Sequence, residues 1–207
     1  VAKTEKISEA VVRRLPIYLR YLSHLQQMGV TTVSSQQMGK TLDFNPAQIR
    51  KDLSAFGDFG KKGIGYDVNY LIDKIRHILK LDQMIHVALV GAGHLGHAIS
   101  NYNAYLKDNM RIVAIFDVDK RKVGKKIAGI EVQSIEDLQC VVTEQNIRLA
   151  IITVPAKAAQ EVADQLMDAG IEGILNFAPV TLRASKDVKI DYADVTSSLQ
   201  SLAYYLN

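Results

Sequence analysis

The feature that most constrains this chain is a glycine triplet at the end of an apolar run: Val87-Ala88-Leu89-Val90, then Gly91-Ala92-Gly93-His94-Leu95-Gly96. Ile85 to Val90 is short, largely apolar and rich in β-branched residues, which reads as a buried strand. After the triplet, Leu95, Ala98, Ile99, Tyr102 and Leu106 recur at helical spacing, so His94 to Leu106 reads as a helix. A second apolar run, Ile112 to Phe116, ends in Asp117, which lies 21 residues after Gly96. A G-x-G-x-x-G between strand and helix, with an acid about 20 residues on, has the spacing of a dinucleotide-binding Rossmann unit.

Each residue type has a physical task in such a unit. Gly91 permits the tight turn out of the strand, Gly93 lets a pyrophosphate approach the backbone, and Gly96 lets helix and sheet pack closely. The intervening Ala92, His94 and Leu95 bring backbone N–H groups to the helix start, where the dipole favours phosphate. Asp117 is suited to accept hydrogen bonds from an adenosine ribose and to repel a 2′-phosphate, which favours NADH/NAD+ over the phosphorylated dinucleotides.

Charge is unevenly distributed. Residues 1–80 hold 13 Lys and Arg against 7 Asp and Glu, whereas residues 81–207 hold 12 against 15. The basic part is a candidate nucleic-acid binder and the remainder resembles an ordinary soluble domain. No run of eighteen apolar residues and no basic, apolar leader occurs, so a cytoplasmic protein is expected. The single cysteine, Cys140, falls in an apolar helical pattern and is expected in the core of a protein from a reducing compartment.

The basic part opens with a helix from Ser8, a candidate N-cap, to Met28, before Gly29; Pro16 either starts its main body or kinks it. Ser34 or Ser35 can cap a short helix over Gln36 to Thr41. After a break at Leu42 to Asn45, Asn45-Pro46 can start another, with Asn45 as cap. Helix, turn and helix is the layout of a helix-turn-helix. In the second helix Ile49, Leu53 and Phe56 form the inward stripe, and Gln48, Lys51 and Ser54 share an outer face, with Arg50 beside it. Arg and Lys suit guanine and phosphate, Gln suits adenine, and Ser suits either base or phosphate. The glycine-rich stretch Gly57 to Asp67, with Lys61 and Lys62, reads as a short hairpin with a basic tip, the wing of a winged helix. Tyr70 to Leu81, with Leu71, Ile75, Ile78 and Leu79 on one side, reads as a helix joining two domains.

Beyond Asp117, Lys120 to Lys126 reads as a solvated loop or helix start; its charge would also suit an NADP site, against which Asp117 argues. Strands are expected near Ile130 to Val132, Leu149 to Val154, Gly173 to Phe177 and Val188 to Tyr192, with helices over Ile135 to Glu144 and Ala156 to Ala169. Such alternation builds a parallel sheet, whose ligands lie at the carboxyl ends of the strands. Thr153, Val154, Pro155, Asn176, Phe177 and Ala178 fall at those ends and are candidates for a nicotinamide pocket. Asp194 or Thr196 can cap a final helix whose Leu199, Leu202, Ala203, Tyr205 and Leu206 need a surface to dock on, in the same subunit or a partner.

Taken together, the chain resembles the Rex family of redox-sensing transcriptional repressors over nearly its full length. The resemblance rests on Ser34-Ser35, on Gln48 to Ser54, on Phe59 to Tyr66, on the glycine triplet, on Phe116 to Asp119, on Leu175 to Pro179 and on the closing helix. It implies an α/β architecture with a winged helix-turn-helix domain over residues 1–80 and a Rossmann-like parallel-sheet domain over residues 81–192. Residues 193–207 are implied to be a C-terminal helix exchanged between the subunits of a homodimer. It implies repression at a palindromic double-stranded operator and release by NADH. Arg20, Tyr102 and Asp194 are implied to form a redox switch, with Arg20 in the first helix, Tyr102 near the nicotinamide and Asp194 at the exchanged helix. No metal or membrane role is implied.

Two other classes stay open on the residues alone. A dehydrogenase would need a substrate domain and a catalytic acid or base, yet only one strand and one helix follow the Rossmann pattern, so an enzyme is not expected. A winged-helix regulator of another nucleotide, such as CoA or NADP, would keep both halves of the architecture, with Asp117 weakening the NADP case.

Overall fold

The computed structural model describes residues 7–54, 60–61, 65–103, 109–185 and 187–206. Contacts divide the chain into two compact units, Val1–Asp82 and Gln83–Asn207.

The first unit begins with α1 (Glu9–Gln27), whose buried face is Leu15, Tyr18, Leu19 and Leu22. Pro16 sits inside this helix on its exposed side, and Ser8 precedes it without a capping side-chain bond. Then come β1 (Thr32–Val33), α2 (Ser35–Leu42) and α3 (Pro46–Ser54). Ser34 caps α2 through a full capping box with Gln37, satisfying two donors reciprocally. Asp43 ends α2 in the left-handed region, and the Ala47 amide donates to Asn45 Oδ1 at 2.8 Å to open α3.

The wing is present as β2 (Gly60–Lys61) and β3 (Gly65–Asp67), paired antiparallel. β3 also pairs with β1, a strand too short to show in the residue pattern. Lys62 and Phe56 lie outside the described residues. The last helix, α4 (Val68–Ile78), starts earlier than its pattern predicts, because Asp67 caps it by accepting from the Tyr70 amide. Its buried stripe is therefore Val68, Leu71, Ile72 and Ile75, with Ile78 and Leu79 only half-buried.

The second unit runs β4 (Ile85–Val90), α5 (His94–Asn103), β5 (Met110–Asp117), β6 (Lys126–Ile127), β7 (Ile130–Ser134), a 3-10 turn (Ile135–Asp137), α6 (Leu138–Glu144), β8 (Leu149–Ile152), α7 (Ala156–Asp168), β9 (Gly173–Asn176), β10 (Lys189–Tyr192) and α8 (Val195–Ala203). Among the described residues the sheet order is β10-β9-β8-β4-β5-β7-β6. All pairs are parallel except β6 with β7. This is a doubly wound sheet, with β4 central and the topological switch between β4 and β8.

Alternation along β4 fills both faces. Ala88 and Val90 join Phe116, Ile152 and Ile174 beneath α6 and α7, while Leu89 joins Ile112, Ile115 and Val132 on the opposite face. The register of β5 against β4 skips Val113, so Ile112 and Ala114 stand beside consecutive β4 residues.

Two expectations need correction. Cys140 is exposed, not in the core; its thiol donates to Glu144, and that acceptor and its charge raise the thiol pKa. The apolar spacing in α5 does not mark the face turned to its sheet: Leu95, Ala98 and Tyr102 are exposed, Ile99 is half-buried, and Gly96 and Ser100 are buried. Small residues face inward because the helix start lies almost on the strand-end backbone. Of the two forms expected for the basic stretch 120–126, loop or helix start, it takes the first, a turn that ends in strand β6.

Candidate functional site

In the second unit the triplet forms the loop between β4 and α5, and its glycines meet three different surroundings. Gly91 has φ +110, and a Cβ there would lie 2.8 Å from the Thr153 carbonyl oxygen. At Gly96 a Cβ would lie 2.0 Å from the Gly91 carbonyl oxygen. At Gly93 a Cβ would meet nothing within 4 Å. Two glycines thus permit close packing within the protein, and the third borders open space at a helix N-terminus, whose first-turn N–H groups lack partners within the helix. These residues fit a dinucleotide pyrophosphate there.

Thr153, just beyond β8, ties the two loops at the switch point. Its hydroxyl donates to the Gly91 carbonyl at 2.8 Å, and its amide donates to the Val90 carbonyl. Val154 and Phe177 are half-buried and Pro155 is exposed beside it in sequence. Asn176 is buried, and its side chain is committed to its own turn: Nδ2 donates to the carbonyls of Ala178 and Val180, and Oδ1 accepts from the Ala178 amide. Asn176 therefore shapes the end of β9, and Ala178 is buried beside it.

Asp117 ends β5 in a buried position, with Oδ2 accepting from the Ala92 amide at 2.7 Å and from Lys122 Nζ at 2.8 Å. Its Oδ1 accepts from the Asp119 amide. Burial acts to raise its pKa, but Lys122 and the two amides outweigh burial and hold it below the usual carboxylate range. Lys122 is a residue that sequence reasoning assigned to a solvated stretch. Val118, next in the chain, is an aliphatic side chain left 75% exposed at the strand end. His94 and Leu95 are exposed on the first turn of α5.

In the first unit, α3 presents Arg50, Lys51 and Ser54 to solvent, with Gln48 half-buried and Asn45 exposed at its start. Arg50 Nη1 donates to Ser35 Oγ at 3.1 Å, and Ser54 Oγ to the Lys51 carbonyl. Lys61 lies in the β2 strand of the wing. Sequence reasoning missed Asp52, which is 1% exposed and meets Arg14, Tyr18 and Gln48. Burial acts to raise its pKa, but the hydrogen bonds from these three residues hold it low. An acid in a basic helix reads as a solvated residue, and only the fold shows that it points inward.

Of the three residues implied as a switch, Arg20 is exposed on α1, Tyr102 is 66% exposed on α5, and Asp194 caps α8. Asp194 accepts from the Ser197 amide and hydroxyl, which lowers its pKa. Among the described residues no hydrogen bond joins Tyr102 to Asp194. No residue of α8 is buried, and Val195, Leu199 and Leu202 are all exposed.

No helix among the described residues is long and apolar enough to cross a membrane. The family profile "CoA binding domain" matches residues 82–180, and "Putative DNA-binding protein N-terminus" matches residues 6–54. The redox-sensing transcriptional repressor Rex of Brevibacillus brevis is 76% identical over 206 residues, covering 100% of both chains. Among solved structures, RSP in complex with β-NAD+ and operator DNA superposes with a TM-score of 0.91 at 37% identity, covering 98% of this chain and 94% of that one. RSP in complex with β-NADH gives 0.88 at 36% identity, covering 98% and 95%. The relatives are regulators and not enzymes, and this chain belongs to the Rex family of redox-sensing transcriptional repressors.

Proposed function

We propose that this chain binds a palindromic operator as a homodimer and releases it when its Rossmann unit holds NADH. The observation that carries the reading is the open space at Gly93, at the start of α5 and beside Asp117, in a chain that also holds a winged helix-turn-helix. The complexes of RSP with β-NAD+ and operator DNA, and with β-NADH, support the same pairing of ligands.

Gly91, Ala92, Gly93, His94, Leu95 and Gly96 would hold the pyrophosphate, and Asp117 with Val118 the adenosine. Thr153, Val154, Pro155, Phe177 and Ala178 would border the nicotinamide, with Asn176 shaping that border through its turn. Burying a neutral ring among such residues costs less than burying a cationic one, which favours the reduced form. Asn45, Gln48, Arg50, Lys51, Ser54, Lys61 and Lys62 would meet DNA, phosphate contacts setting register and base contacts setting sequence.

The bare apolar face of α8 supports its exchange onto a partner subunit. Arg20, Tyr102 and Asp194 would then link the nicotinamide end to the DNA-binding unit across the dimer. We place its action in the cytoplasm, where operator DNA and the dinucleotide pool meet.

The test is anisotropy of a labelled palindromic duplex at fixed salt, with NADH, NAD+, NADPH and CoA added in turn. Release by NADH alone supports the reading. By linkage, operator must weaken NADH binding by the same factor that NADH weakens operator binding. Equal NADH affinity with and without operator contradicts it.

A further inference from the structure

Asp52 is a buried acid on the helix that reads DNA, and every acceptor position of its carboxylate is used. Oδ2 accepts from Arg14 Nε at 2.6 Å and from the Tyr18 hydroxyl at 2.8 Å. Oδ1 accepts from Arg14 Nη2 at 2.8 Å and from Gln48 Nε2 at 2.7 Å. A carboxylate has about four lone-pair sites, so the group is saturated. Arg14 and Tyr18 belong to α1, and Gln48 and Asp52 to α3, so the cluster fastens the reading helix to the helix behind it.

The chemistry of this contact fixes an orientation. A carboxylate can only accept, so Gln48 must turn its NH2 group toward Asp52. That leaves Gln48 Oε1 and the second Nε2 proton for the outer side. One acceptor and one donor, side by side, are what adenine N6 and N7 require in the major groove. Gln48 lies at the third residue of α3, and the N-terminal residues of a recognition helix are those that reach base edges. A free glutamine would sample both amide orientations, and the reversed one would set a donor against adenine N6 and an acceptor against N7.

We propose that Asp52 is a positioning residue for operator reading: its carboxylate holds the Gln48 amide in the one orientation that accepts from adenine N6. The inference rests on the reading of α3 as the recognition helix. Arg14 and Tyr18 act through Asp52, and none of the three need touch DNA.

The variant to make is Asp52→Asn in the full chain. The introduced carboxamide can keep its oxygen on Arg14 Nε and the Tyr18 hydroxyl, and its NH2 group then stands as a donor at the position that accepted from Gln48 Nε2 and Arg14 Nη2. Gln48 must answer with Oε1, and its outward donor and acceptor exchange places, so that they no longer match adenine N6 and N7. The probe is a palindromic duplex selected on wild-type protein from a pool randomised in both half-sites. Affinities are measured for each single base-pair change, with Gln48→Ala run in parallel. Wild type should favour A·T at one pair per half-site by about tenfold or more. Gln48→Ala should lose that preference, and Asp52→Asn should lose it at the same pair while other pairs keep theirs. Tyr18→Phe, which removes one bond and leaves Gln48 untouched, should retain it.

If Gln48→Ala changes preference but Asp52→Asn does not, the positioning role is overturned and Gln48 remains a reader. If Gln48→Ala leaves every preference intact, Gln48 is not a reader and both readings of this residue fall. Should Asp52→Asn fail to fold, the side-chain amide of Gln48 decides in wild-type protein by NMR. A shifted Nε2 resonance with a slowly exchanging proton supports the proposal, and exchange as fast as in solvent-exposed glutamines overturns it.

Discussion

Adding one methyl group at Gly96 and at Gly93 separates packing from binding. At Gly96 the new Cβ would stand 2.0 Å from the Gly91 carbonyl oxygen, where ordinary contact begins at 3.4 Å. The Leu89 side chain lies 3.2 Å away on another side. The obstacle is backbone at a turn already held by Thr153, so no rotamer change relieves it. Overpacking of this kind costs about 1–3 kcal/mol and occasionally more, and a gap short by more than 1 Å argues for the upper end. The helix-propensity gain of alanine, about 0.5–1 kcal/mol, offsets only part. At roughly 4 °C per kcal/mol for a unit of this size, Gly96→Ala should lower the Rossmann unit's Tm by about 10 °C. Gly93→Ala meets no atom, and Gly93 is not in the left-handed region, so its Tm should stay within about 2 °C of wild type. With NADH at a hundred times its Kd, wild type should gain about 2.7 kcal/mol and Gly93→Ala nothing. Thermal unfolding by circular dichroism with and without NADH reads both effects. A Gly93→Ala protein that melts as low as Gly96→Ala, or that is still stabilised by NADH, would refute the assignment of the three glycines.

Other outcomes follow from the same geometry. Leu199→Asp on α8 should give a monomer by sedimentation with unchanged helical content, because Leu199 is exposed within its own subunit; a dimer that persists contradicts exchange of this helix. Asp52 and Asp117 both have folded pKa values below their ordinary value near 4. Their contribution is therefore complete above that value and is lost as pH falls through the lower folded values, so denaturant midpoints should be flat above about pH 5 and drop below about pH 4. Asp117→Asn should flatten part of that drop in the Rossmann unit. Lys122→Ala leaves the Asp117 charge without its ammonium partner and should raise the NADH-over-NADPH affinity ratio by roughly fivefold, about 1 kcal/mol for a partly exposed pair; an unchanged ratio would separate Lys122 from cofactor choice.

Much of this molecule is legible in its residues where one local rule decides. The glycine triplet, the apolar strands and the Ser34 and Asn45 caps each depend on neighbours a few residues away, and each stands where expected. What the residues hide is which partner each side chain meets. The apolar spacing of α5 is real, yet the face turned to the sheet is the small one, because Gly96 must lie against the Gly91 carbonyl. Cys140 sits among apolar neighbours but on the outer side of a two-turn helix. Asn176 has the residue type of a ligand contact and spends its amide on Ala178 and Val180. Asp52 is the clearest case: its acid is stable in the interior only because Arg14 and Tyr18 arrive from α1, more than thirty residues away. The strands β1 and β6, two residues each, exist only because a longer strand pairs with them.

The most direct test of the central claim is NADH titrated into the protein–operator complex at fixed salt, followed by fluorescence anisotropy. We expect operator release with NADH and no comparable release with NAD+ or NADPH at equal concentration. Specific operator binding that ignores NADH up to saturation of the Rossmann unit would contradict it.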